Sequence, residues 1–306
     1  MEKPYIELRN RNSFGDIVNT YFQFLKYNFK TYTSLYLRYN AISIILSVIT
    51  SYLLVTGFMG LASRDFRFGM GNNIDSESYF ILAVILLVLI LFITSLINYS
   101  FSSAYISEYA THNGVVNSRN IWNKIKRNIG AIILFILIGV GMYIVYFIVS
   151  AILAFIPFIG MLMQYGLSFL MSAIFGLTFM SIFSTNKTIG EAISEGWEFT
   201  FSNFWKVILY GLVIGILNLL INVFVISFPS YIIGIYIYFS VDSGVEIVTS
   251  VFASVLFTLG FAIFILSFVY TQALSQIAFG ILYYNLFETK YNVFLREKIE
   301  EIGVHE

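Results

Sequence analysis

Apolar and polar residues along this chain are sorted into long blocks. Six blocks are apolar: Asn40–Ala62, Tyr79–Ser107, Asn128–Ile156, Met161–Ser184, Trp205–Phe228 and Glu246–Phe287. A bilayer core about 30 Å thick is crossed by roughly 20 helical residues, so each block predicts one transmembrane helix. The third and fourth form a tight hairpin through Pro157-Phe158-Ile159-Gly160. The stretches between blocks carry a helical period instead. In Ser13–Lys30, Ile17, Val18, Tyr21, Phe22, Leu25 and Phe29 share one side, while Asp16, Asn19, Thr20, Gln23, Lys26 and Lys30 fill the other. That pattern predicts an amphipathic helix at the membrane interface. Glu108–Arg127 shows a single apolar stripe (Ile121, Trp122, Ile125, continuing to Ile129), and Thr188–Trp205 is a third polar-faced helix. Pro229–Val245 is apolar but too short to cross, which predicts an interfacial segment. Residues 1–12 are expected to be loosely ordered, and Glu288–Glu306 to be a fraying helical extension.

The interfacial stretches resemble one another. With Ser13 set on Thr188, Gly15 matches Gly190, Asp16 matches Glu191, Phe22 matches Trp197, Phe24 matches Phe199, Asn28 matches Asn203 and Phe29 matches Phe204. Both copies open on Ser/Thr-x-Gly-acid, the spacing of a capping box. A fainter copy places Trp122 before Asn128. The expected fold is therefore all-α and polytopic, six transmembrane helices in three hairpins, each preceded by a cytoplasmic amphipathic helix. It forms a single membrane domain over residues 1–306, with repeats at 13–107, 117–184 and 188–287 and a cytoplasmic tail at 288–306. Asn28, Asn128 and Asn203 are expected to close their helices. Trp122 and Trp197 fit the role of interface anchors.

Composition agrees with a membrane protein: 58% apolar, 19% aromatic and only 11% charged, where a soluble domain is about a quarter charged. The 17 basic and 17 acidic residues cancel, which argues against a nucleic-acid partner. Placement says more than the sum. All basic residues except Arg64 and Arg67 fall on one side of the six blocks. By the positive-inside rule that side is cytoplasmic, together with both termini, and the expected location is the bacterial inner (cytoplasmic) membrane. The first apolar block begins near Asn40 behind an amphipathic segment, an order that predicts a retained span rather than a cleaved signal.

Candidate chemistry is sparse. There is no Cys and there are two His, so thiol chemistry and multi-imidazole metal centres are excluded and no cofactor or metal is expected. No ionisable residue lies near the centre of a block, which argues against proton coupling. Amides do lie inside blocks, and six of them, Asn98, Gln164, Asn218, Asn222, Gln272 and Gln276, are the candidates. Such groups either hydrogen-bond between helices or line a polar pathway. Glu191, Glu195 and Glu198, at i, i+4 and i+7, share a face. That face is read as the wet side of its helix, or as a docking surface for a basic partner such as this chain's own Arg119, Lys124, Lys126 and Arg127. With no adjacent nucleophile or His, the carboxylates suggest no catalysis.

The Thr/Ser-x-Gly-Glu/Asp pattern, continued by Gly-Trp-x-Phe-x-x-x-Asn-Phe before a span, is similar to the membrane domain fused to bacterial glycerophosphodiester phosphodiesterases and to its stand-alone relatives of unknown function. Ile281-Leu282-Tyr283-Tyr284-Asn285-Leu286 resembles the Tyr-rich close of that domain's last helix. The resemblance covers most of the chain in layout and implies a six-helix bacterial inner-membrane domain. It carries no catalytic residues over, because the hydrolase part has no counterpart here. Two functions are expected from these readings. The first is a non-enzymatic accessory, scaffold or lipid-associating module, whose partners are the lipid bilayer and other membrane proteins or lipids. The alternative is a permease or transport subunit with a polar pathway between repeats.

Overall fold

The computed structural model describes residues 4–62, 74–185 and 187–303. Its helices are α1 (Phe14–Tyr39), α2 (Ala41–Ala62), α3 (Ile74–Thr111), α4 (Ser118–Arg127), α5 (Ile129–Leu153), α6 (Ile159–Ser184), α7 (Ile189–Ser202), α8 (Phe204–Asp242), α9 (Val251–Tyr291) and α10 (Val293–Gly303), with a 3₁₀ turn at Ile247–Thr249. Six of them are long and apolar enough to cross a membrane: α2, most of α3, α5, α6, α8 and α9. Only helices satisfy their backbone groups internally in lipid without closing a barrel. The fold is therefore all-α and polytopic. The polar, Gly- and Asn-rich stretch between the first two apolar blocks, read from the sequence as a loop over Arg64–Ser78, falls largely outside the described residues.

The chain divides into two compact units that do not follow the repeat boundaries. The first comprises Met1–Tyr36, Tyr99–Ile216 and Leu274–Glu306; the second comprises Leu37–Asn98 and Leu217–Ala273.

The first unit is organised around aromatic rings. α1 begins with a capping box: Ser13 N–H donates to the Asp16 carboxylate at 3.3 Å and Asp16 N–H to Ser13 Oγ at 3.4 Å. Its buried side is Ile17, Tyr21, Phe24, Asn28, Tyr32 and Tyr36. Phe24 meets Tyr109 edge-on at 5.0 Å and Tyr32 meets Tyr105 edge-on at 5.1 Å. Such pairs add about 0.5–1.5 kcal/mol beyond burial alone. Phe22 and Phe29, predicted on the same stripe, are exposed, so α1 has a second apolar face turned away from its bundle.

α7 lies against α6 in the same unit. Its capping box is complete, with Thr188 N–H donating to Glu191 Oε2 at 2.8 Å and Glu191 N–H to Thr188 Oγ1 at 3.5 Å. At Gly196 a Cβ would collide with Thr178 Oγ1 and reach 3.0 Å from Thr178 N and 3.1 Å from Ile174 O. Because backbone atoms limit that approach, Gly196→Ala should force the helices apart and cost about 1–3 kcal/mol. Thermal unfolding in mild detergent checks this, with Gly190→Ala, which meets open space, as the matched control.

In the second unit α2 and α3 approach so closely that a Cβ on Gly57 would lie 2.8 Å from Phe80 N. Ser47 and Ser51 on α2 are buried, yet their hydroxyls donate to the Ser43 and Ser47 carbonyls at 2.7 Å each, so they stay satisfied without a partner helix.

Several sequence expectations are corrected. α1 runs on to Tyr39, which places Asn28 mid-helix rather than at an end. Asn128 and Asn203 do separate helix pairs, but at φ −97° and −124° instead of in the left-handed region. The asparagines in the left-handed region are Asn113 and Asn292. Residues 229–242 are no separate segment: α8 continues through Pro229, as a chain in lipid must if a break would orphan backbone groups. The N-terminal stretch is tied down, with Leu8 buried and Asn285 Nδ2 donating to Asn10 O at 2.9 Å. The C-terminal segment is docked too. The buried Glu288 carboxylate accepts from Phe294 and Leu295 N–H at 3.1 and 3.0 Å, capping α10.

Candidate functional site

Two cavities of the second unit lie side by side along α9. One, of about 570 Å³, is walled by Leu54, Phe58, Phe80, Ile233, Phe257 and Phe261 among others, with Ser230 as the one polar side chain of its lining among the described residues. The other, of about 460 Å³, runs between α3 and α9 past Leu87, Leu91, Phe264 and Phe268 to Ser95 and Gln272. Both volumes fall within the roughly 300–1,000 Å³ of small-molecule sites. They share Phe261 and Phe264, whose rings lie 5.9 Å apart and nearly parallel at 17°. At about 1.5 Å per residue, Phe257 to Gln272 spans on the order of 22 Å along the helix, longer than the roughly 15 Å depth of one hydrocarbon leaflet.

The groove ends in a small polar cluster. Gln272 Nε2 donates to Ser95 Oγ at 3.0 Å, and Asn98 Nδ2 donates to Gln272 Oε1 at 3.4 Å and to Val269 O at 2.8 Å. Asn98 Oδ1 is sealed in without a partner among the described residues. The other predicted amides are not gathered here. Asn222 donates to Thr271 Oγ1 at 3.2 Å and accepts from Ser267 at 2.5 Å, joining α8 to α9. Asn218 is half-buried one turn earlier. In the first unit Gln276 donates to Ser103 Oγ at 2.7 Å and Gly176 O at 3.0 Å, and Gln164 donates to Ser150 O at 2.6 Å. Asn98 and Gln272 thus meet in one cluster, while Asn222, Gln276 and Gln164 make separate interhelical contacts.

The carboxylate stripe of α7 does not behave as one face. Glu191 is exposed and spent on its cap; the Thr188 N–H, then the Thr188 hydroxyl, hold its carboxyl below the ordinary value. That cap therefore persists at neutral pH and fades as pH falls through the lowered value. Glu198 is half-exposed and pairs with Lys290 at 2.6 Å. Glu195 is buried: it accepts from Ser181 Oγ at 2.5 Å and Tyr283 Oη at 3.0 Å and pairs with Lys187. The wet-face expectation is thus corrected for Glu195. Its cause is the close approach at Gly196, which draws the neighbouring side chain into the bundle.

The basic stretch of α4 is likewise divided. Lys124 pairs at 3.1 Å with Glu108, which is 1% exposed and also meets Asn120 Nδ2 at 2.6 Å and His112 Nδ1 at 3.2 Å. Lys126 lies over the Trp122 ring at 5.2 Å, and Arg119 and Arg127 are exposed. Among the described residues no ion pair joins Arg119, Lys124, Lys126 or Arg127 to Glu191, Glu195 or Glu198, so the proposed glue between those two sets is replaced by other partners for each. Glu108 and Glu288 went unrecognised in the sequence because they sit just past the apolar blocks, where charges are ordinarily wet. Among the described residues no group of three or more His, Asp or Glu is placed to hold a metal.

Compared with protein-family profiles, characterised proteins and solved structures, the chain shows no significant match.

Proposed function

We propose that this chain is a non-catalytic integral membrane protein that associates with lipid through the groove along α9. The observation that carries the reading is the groove itself, two adjoining apolar cavities on transmembrane helices with almost no polar lining. A hydrocarbon chain fills such a space without leaving a buried polar group unpaired. The interhelical use of Asn222, Gln276 and Gln164 supports packing rather than a transport pathway. The one-sided distribution of basic residues supports seating in a bacterial inner membrane with cytoplasmic termini. Exposed Phe22, Phe29, Trp122 and Trp197 on the interfacial helices support a collar of three repeated amphipathic helices resting on that surface. The test is native mass spectrometry after extraction in mild detergent. Stoichiometric lipid, retained through delipidating washes that strip a control membrane protein, is the expected result. Lipid lost in parallel with the control overturns the reading.

A further inference from the structure

We infer that the Ser95–Gln272 end of the groove seats the ester carbonyl of a glycerolipid, whose acyl chain then lies along α9; this rests on the lipid-association reading above.

The chemistry of the polar end selects the head. Gln272 Oε1 is taken by Asn98, and Ser95 Oγ accepts from Gln272. Two donors remain without a partner among the described residues: the Ser95 O–H and the second N–H of Gln272. Both side chains line the 460 Å³ cavity, and Asn98 does not. The ligand group meeting them is therefore an acceptor. No described residue of the lining is cationic, so a fatty carboxylate would be left with a buried uncompensated charge, whereas a neutral ester carbonyl would not. Beyond that carbonyl the walls are Leu91, Phe264 and Phe268, then Phe261 and Phe257 of the adjoining cavity. The combined length of about 22 Å takes a chain that ordinarily fills one leaflet of roughly 15 Å.

The experiment reconstitutes the full chain into vesicles of phosphatidylethanolamine and phosphatidylglycerol. A photoreactive diazirine is placed near the methyl end of one acyl chain of phosphatidylethanolamine, and in a parallel arm on a free fatty acid. The expected result is saturable labelling by the phospholipid probe on Phe257–Phe264 and Ile233. Gln272→Met, which keeps length and volume while removing the amide N–H and leaving the Ser95 O–H, should reduce it roughly fivefold, the effect of one net hydrogen bond. Leu91→Phe, which narrows the slot and leaves every amide in place, should block it independently. Saturable labelling at that position that Gln272→Met leaves unchanged overturns the carbonyl seat while lipid association stands. Preferential labelling by the free fatty acid overturns the ester assignment. Retained lipid without saturable labelling on α9 overturns the site, and only loss of lipid in the mass-spectrometry experiment overturns the underlying function.

Discussion

Glu195→Ala will lower stability by about 3–5 kcal/mol, the cost of breaking a buried ion pair by deleting one partner. Glu195 is 4% exposed and satisfies three groups at once: the Lys187 ammonium, the Ser181 hydroxyl at 2.5 Å and the Tyr283 hydroxyl at 3.0 Å. Lys187 is 27% exposed and can turn toward water, so the loss should fall toward the lower end of that range. The hydroxyls of Ser181 and Tyr283 have no such escape. Glu195→Gln keeps an acceptor for them and should cost less, on the order of 1–3 kcal/mol. Glu198→Lys is the informative contrast, because that carboxylate is 48% exposed and surface pairs contribute about 0–1 kcal/mol. Unfolding in mild detergent can be followed through Trp197 fluorescence, two residues away on the same helix. Equal losses from Glu195→Ala and Glu198→Lys would show that α7 is held by something else.

The six spans were legible because lipid imposes a nearly one-dimensional rule: about 20 apolar residues, helical, with backbone groups paired within the segment. Both capping boxes were legible as well, since Ser13-Asp16 and Thr188-Glu191 act within one turn. What escaped was set by packing. Glu191, Glu195 and Glu198 share an arc of their helix, and charge alone assigns that arc to water. Yet Ala192, Glu195, Gly196, Phe199 and Thr200 are all buried, at i, i+3, i+4, i+7 and i+8. Read as one stripe, with two small residues a turn apart marking a close approach, it puts Glu195 in the middle of a core-facing surface. The groove left a fainter trace. Gln272 and Gln276 are one turn apart, but they belong to different units with different partners. Nothing in their spacing separates an amide that lines a cavity from one that clamps a backbone carbonyl.

Glu108→Ala should destabilise the first unit by an amount similar to Glu195→Ala, about 3–5 kcal/mol. The helix α3 runs to Thr111 and its residues 100–110 are buried, which brings a carboxylate inside where the apolar block has already ended. Lys124, 17% exposed, is its cationic partner and also donates to Ser107 Oγ at 3.1 Å. Deleting Glu108 strands Lys124 and removes the acceptor of Asn120, while deleting Lys124 strands the carboxylate. Removing both with leucine at each position changes the sign of the argument. Two desolvated charges disappear together, and replacing a buried pair with apolar groups of similar size is often neutral or stabilising. The double variant should therefore unfold at or above the transition of either single variant, a non-additive result from a double-mutant cycle. Additive losses would mean that Glu108 and Lys124 act on α4 independently, and that its docking depends on Ile121, fully buried at the centre of that helix.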